Sequence, residues 1–220
     1  MSKLFTTYLC GFLVIRFGAI FDYLMPLTNS GGCRKIRRMN TDDSGLSSRT
    51  AVGLFELAKL VSAAPIAKAI TRKIAFAELS SMNKSDLQNE FKEQFGNGSR
   101  SLYSIKLNSQ ADCADTWEAL RSAKAEKICG RSYSRVHPFN SSPCLYVGSS
   151  SNLTKRLMEH VGFGAKGTYS LHLLCWASGL RGGLDIDALI YPEISQQILC
   201  AMEDQMAVES QPMFGRRGSV

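Results

Sequence analysis

No two cysteines in this 220-residue chain form a C-x-x-C pair, and the seven present are scattered and odd in number: Cys10, Cys33, Cys113, Cys129, Cys144, Cys175 and Cys200. That spacing argues against zinc ligation and against a disulfide framework, and free thiols in a reducing cytoplasm are the plain reading. Glycine and proline, at 18 and 6 residues, are not in excess, and no repeat or low-complexity tract occurs. A fibrous or linker-like chain is thereby excluded. Nor is there a zinc-finger pattern or a clear helix-turn-helix that would supply base readout. What is present is 45% hydrophobic residues, enough for a packed core, with 20% charged.

The net charge of +7 invites a nucleic-acid partner, yet its distribution tempers that. Residues 1–38 carry Lys3, Arg16, Arg34, Lys35, Arg37 and Arg38 against Asp22 alone, so the leader holds most of the excess. Phosphate attraction further along must come from local placement of Arg and Lys rather than from the overall field. Leu4 to Met25 is strongly apolar, but Arg16 falls inside it, and a central charge costs about 2.5–3.5 kcal/mol on insertion. Three readings follow for residues 1–38: a peripheral membrane anchor through residues 4–25, a helix packed on the protein, or residues upstream of a true start at Met39. The third is favoured, because Met39 opens a segment of ordinary polar composition.

From Val52 to Phe95 the spacing predicts helices. Leu54, Leu57, Ala58 and Val61 share one apolar face, Pro65 interrupts, and Ile66 to Leu79 gives a second helix. A third is capped by Asn83 or Ser85, with Leu87, Phe91 and Phe95 on its inner side. This block (residues 39–98) carries no chemical signature and reads as a packing or protein-partner unit through residues 52–95. Gly96-Asn97-Gly98-Ser99 breaks the pattern and is taken as a domain boundary. Beyond it strands and helices alternate: strands at Leu102–Leu107, Cys144–Val147 and Leu184–Tyr191; helices at Asp112–Ile128, Leu153–Val161, Leu171–Trp176 and Ile194–Glu209.

The chemistry gathers in Leu145-Tyr146-Val147-Gly148-Ser149-Ser150-Ser151-Asn152-Leu153-Thr154-Lys155-Arg156-Leu157-Met158-Glu159-His160. A strand ends at a glycine and feeds a helix capped by Ser151 or Asn152. Arg156 and His160, four residues apart, share one helical face, while Leu153 and Leu157 anchor the adjacent one. These residues resemble the second half of the GIY-YIG nuclease motif, a tyrosine–aliphatic–glycine strand end with an arginine ten residues after the tyrosine. His160 is similar to the histidine found there in phage-intron homing endonucleases and some restriction enzymes. Glu203, nine residues before Pro212, matches the single catalytic glutamate of the family's late helix, and Ser101-Leu102-Tyr103 is the best match to its first tyrosine motif.

The resemblance spans about residues 101 to 218, with the domain taken as residues 99–220. It implies an α+β fold with a central three-stranded antiparallel sheet flanked by helices, here preceded by a helical region. Three departures stand out. Ser101 replaces the first motif's glycine, the connection from Tyr103 to Tyr146 is long, and Gly215 occupies the place of a common asparagine. Tyr169 is similar by spacing to a second histidine of homing enzymes. With Ser149 and Lys155 it completes the candidate substrate contacts.

These residue types suit phosphodiester hydrolysis. A glutamate offers hard oxygen to Mg²⁺ or Mn²⁺, leaving most of the shell to water and phosphate. Arg156 can grip a nonbridging oxygen at any working pH. Tyr103, Tyr146 and His160 compete as base: an ordinary tyrosine titrates near ~10, whereas histidine titrates in the useful range. The resemblance implies a tyrosine role, assigning Tyr103, helped by Tyr146 and His160. The reading is a metal-dependent endonuclease acting on double-stranded DNA; the alternative is a nucleic-acid-binding module of the same fold that has lost cleavage. His137 and His172 read as structural.

Overall fold

In Gly183–Tyr191 the residues Leu184, Ile186, Ala188 and Ile190 point one way and are buried, while Asp185, Asp187 and Leu189 point the other. That period of two makes this strand the organising element of a sheet. The computed structural model describes residues 43–216 apart from Asn97, so the expectations for residues 1–38 lie outside the described residues. Its elements are α1 (Asp43–Ser62), β1 (Lys68–Ala75), α2 (Lys84–Phe95), β2 (Arg100–Leu107), α3 (Cys113–Ala125), β3 (Cys144–Ser150), α4 (Leu153–Val161), β4 (Gly183–Tyr191) and α5 (Gln196–Ser210). The four strands form one antiparallel sheet in the order β1-β4-β2-β3, leaving β3 at an edge.

The fold is α+β, but the sheet has four strands where three were expected. The extra one is β1, within the stretch whose spacing predicted a helix over Ile66–Leu79. Its inward positions are Ile70, Arg72 and Ile74, facing β4 partners Ala188, Ile186 and Leu184. Arg72 hides the alternation, because a charge stands where an apolar residue would announce a strand. It is tolerated there through an ion pair with Glu90 of α2, at 2.7 Å. The rest of that stretch, Phe76–Ser81, is a 3-10 turn with Phe76 and Leu79 buried. Because β1 completes the sheet, the break at Gly96–Ser99 does not separate two folding units. Residues 44–216 cluster as one.

Two layers of helix cover the sheet. On one face lie Tyr103, Ile105, Ile186 and Ala188, packed with Leu87, Phe91 and Phe95 of α2 and Leu153, Leu157 and Val161 of α4. Phe91 and Leu157 are fully enclosed, each worth about 1.5–3 kcal/mol of burial. On the other face Leu102 and Tyr191 meet Ile198 and Leu199 of α5, and Val147 meets Ala207. The helix starts follow capping chemistry. Asn83, Asp112 and Asn152 each accept from backbone N–H groups of the first turn of α2, α3 and α4. The insertion between β2 and β3 does hold a helix, α3. Leu171–Trp176, expected to be helical, makes only a 3-10 turn at Leu173–Cys175.

Among the described residues no helix is long and apolar enough to cross a membrane. Cys113, Cys129, Cys144, Cys175 and Cys200 are free thiols. Burial pushes the Cys144 thiol up to about 11.

Candidate active site

Four of the five residues singled out from sequence come into contact. Tyr103 faces Gly148 across the β2–β3 pairing, with Tyr146 two residues earlier on the same strand. The two rings stack at 6.1 Å and 19° over Gly148, and His160 sits edge-on to Tyr146 at 4.4 Å. Glycine is required at 148 because a Cβ would lie 2.7 Å from the Tyr103 hydroxyl and 2.8 Å from the Tyr146 ring. Gly148→Ala should therefore destabilise by about 1–3 kcal/mol through overpacking, read as a lower urea midpoint. An unchanged midpoint would show that the rings are not held against the strand.

Arg156 ties the cluster together. Its Nε donates to the Tyr103 hydroxyl (3.3 Å), one terminal nitrogen to Glu159 (2.8 Å), and the other to the Tyr146 hydroxyl (2.9 Å) and the Tyr169 carbonyl (3.0 Å). Burial alone would lower the guanidinium pKa, but the tyrosines and Glu159 outweigh it and hold the charge firmly.

His160 is fully buried, and its protonation follows from its neighbours. The Leu171 N–H donates to Nδ1 at 3.3 Å, so the ring proton resides on Nε2, which donates to the Tyr103 hydroxyl at 2.9 Å. Burial, then the charges of Arg156 and His172, hold its pKa well below the usual histidine range. The expectation that His160 titrates conveniently for base chemistry is corrected by this: it is a neutral donor inside the core. Tyr103 is likewise 0% exposed, and burial raises its hydroxyl well above the ordinary value despite Arg156. Water cannot reach it as the site stands, so its assignment as base is corrected too.

Glu203 arrives from the other layer. Leu199, Glu203 and Ala207 repeat at four residues on α5, so the carboxylate lies on the stripe that packs on the sheet. It accepts a 2.5 Å hydrogen bond from Ser149 of β3. Convergence of all five side chains was expected. Instead α5 covers the face opposite to α4, and Glu203 approaches the cluster at the rim of the edge strand, where Ser149 follows Gly148. After burial and Tyr146, its negative charge is a lesser cause of the raised Tyr103 pKa.

A half-buried carboxylate within an apolar stripe, with no ion pair among the described residues, fits a hard divalent cation completed by water and phosphate oxygens. No cluster of three acidic, histidine or cysteine ligands occurs among the described residues. Any such ion would rest on Glu203 alone.

The accessible part of the site is a cleft of about 760 Å³ lined by Tyr146, Arg156 and Tyr169 together with Arg135, His137, Gly215 and Arg216. Its charged lining is cationic. Tyr169, 70% exposed, also lines the cleft. Lys155 faces a different groove, between α2 and α4.

Sequence reasoning missed Glu159, although its i+3 spacing from Arg156 signals an ion pair. It also missed Arg135 and the role of Gly215. Gly215 has a φ of +92°, and a Cβ there would lie 2.5 Å from the Tyr146 ring, so the glycine closes on that tyrosine. His137, read as structural, holds this turn through its Nε2 to the Gly215 carbonyl at 2.9 Å. His172 is buried, bonded to Ser132 and Thr168 carbonyls, and structural as expected.

Neither a protein-family model, nor a curated protein, nor a solved structure matches this chain.

Proposed function

We propose that this protein is an endonuclease-type phosphodiester hydrolase acting on DNA, working at the cleft where Tyr146 and Arg156 meet. The observation that carries the reading is the Tyr103–Tyr146–Arg156–His160 cluster at the wall of a cleft whose charged lining is purely cationic. A phosphate entering it would meet Arg135 and Arg216 first. Arg156 retains one N–H beyond its four bonds for a nonbridging oxygen.

Base chemistry falls to Tyr146 in this scheme. Its hydroxyl already accepts from Arg156, and unlike Tyr103 it lines the cleft. Tyr103 and His160 fix the position of Arg156 and the rings. Glu203 would hold Mg²⁺ or Mn²⁺ at the strand rim, Ser149 orienting its carboxylate. Such an ion, when bound, supplies positive charge to the phosphate and the leaving oxygen. Tyr169 would stack on a base or sugar. A cytoplasmic setting goes with this reading, given the free thiols.

The test is relaxation of a supercoiled plasmid with Mg²⁺ or Mn²⁺. Glu203→Gln and Tyr146→Phe should each lower the nicking rate by about 10²–10³, the usual loss for a group acting on the transition state. Undiminished cleavage by Glu203→Gln would remove the metal role.

A second reading, a DNA-binding module that no longer cleaves, is favoured by one observation: Glu203 lies in the layer opposite to Arg156. Salt-sensitive DNA binding with no product under either ion would select it.

A further inference from the structure

The groove between α2 and α4, about 430 Å³, is lined by Lys84, Gln88 and Lys92 from α2 and by Asn152, Lys155 and Glu159 from α4 and its cap. Lys84, Gln88 and Lys92 recur every four residues, so they form one polar stripe along α2. The only acid in the lining is Glu159, and Arg156 already engages it at 2.8 Å. Among the described residues, the ammonium groups of Lys84, Lys92 and Lys155 have no carboxylate partner. Three unpaired cations around one groove constitute a surface complementary to a polyanion.

Its position matters as much as its charge. Lys155 and Thr168 face this groove while their chain neighbours Arg156 and Tyr169 face the cleft of the candidate active site. The two depressions thus share a wall made by α4 and the Thr168–Tyr169 segment. A mononucleotide would occupy one; a continuous backbone of phosphates can cross the wall and occupy both.

We infer that the α2–α4 groove is a second phosphate-backbone site, which binds nucleic acid beyond the scissile phosphate and makes the polymer rather than a nucleotide the substrate. This rests on the proposed function and deepens it. It also gives the helical segment before Gly96 a part in substrate binding, through Lys84 and Lys92.

Each lysine that neutralises a phosphate releases condensed counterions, so removing it lowers the salt dependence of binding. The experiment is fluorescence anisotropy with the full chain and a labelled 20-bp duplex over a series of KCl concentrations, in EDTA so that nothing is cleaved. The variant Lys84→Gln/Lys92→Gln/Lys155→Gln should bind at least tenfold more weakly, with a log K versus log salt slope shallower by about 2–3. A charge-matched control, Lys59→Gln/Lys73→Gln/Lys127→Gln, changes lysines that line neither depression and should keep the wild-type slope.

A wild-type slope in the groove variant, with DNA still bound, overturns the groove and leaves the proposed function intact. Equal loss in the control also overturns it, since general charge would then explain the effect. Absence of DNA binding by the wild type overturns both. A shallower slope in the groove variant alone, with plasmid never nicked, supports the groove while the hydrolase reading falls.

Discussion

Arg156→Ala is expected to destabilise the fold by about 3–5 kcal/mol, the cost of leaving one member of a buried ion pair alone. The side chains of Arg156 and Glu159 are only 20% and 15% exposed. Without the guanidinium, the Glu159 carboxylate has no cation to bond, and the Tyr103 and Tyr146 hydroxyls and the Tyr169 carbonyl each lose a donor. Urea denaturation measures the loss. Adding Glu159→Gln to Arg156→Ala should recover part of it, because an uncharged amide is cheaper to leave unpaired. A single variant within about 0.5 kcal/mol of wild type would show that solvent already screens the pair. For function this means that inactivity of Arg156→Ala says little about catalysis unless folding is checked first. Arg156→Lys keeps the charge while removing the planar fork, so a folded Arg156→Lys protein without activity would be the informative case.

The legible parts of this site were those set by local chain geometry. The strand–glycine–capped-helix order of Tyr146 to His160 places Arg156 and His160 on one helical face, and the structure keeps them there. How deep each would lie was not legible. His160 is enclosed and Arg156 only partly so, because the segment from Thr168 to Leu171 folds over that end of α4, with the Leu171 N–H on His160 and the Tyr169 carbonyl on Arg156. The position of Glu203 was hidden for a related reason. Its helix was evident, but the layer it packs on is decided by which face of the sheet takes Leu199 and Ala207. Arg72 concealed a strand because its partner Glu90 lies on α2, eighteen positions away in sequence and visible only after folding. Arg135 and Gly215 carry no local signal at all; they reach the cleft through the pairing of Val136 with Phe214.

Stability should fall as pH drops below about 6.5, where an unfolded histidine takes up a proton that the folded protein refuses. Inside the fold, His160 is faced by Tyr103, Tyr146, Arg156 and the Leu171 N–H, and its pKa is held well below that value by burial first and then by positive neighbours. His172 is lowered as well, again chiefly by burial. The sign follows from the depressed folded pKa. The stabilisation is complete above 6.5 and is lost as pH falls towards the folded value, because the unfolded chain binds more protons. A proton refused by the fold and taken up by the unfolded chain gives a slope of about 1.4 kcal/mol per pH unit; His160 supplies this, and His172 adds to it in the same direction. Carboxylates add their own dependence at lower pH, so the comparison to make is with His160→Gln, which retains a donor for Tyr103 and an acceptor for Leu171. Urea unfolding between pH 7.5 and 5.0 should give a wild-type curve steeper than that of the variant by about 1.4 kcal/mol per unit below pH 6. Parallel curves would mean that the imidazole protonates freely in the native state. It would then be reachable by water, and general-base chemistry at His160, which its burial now denies, would return as a workable route for the cleft.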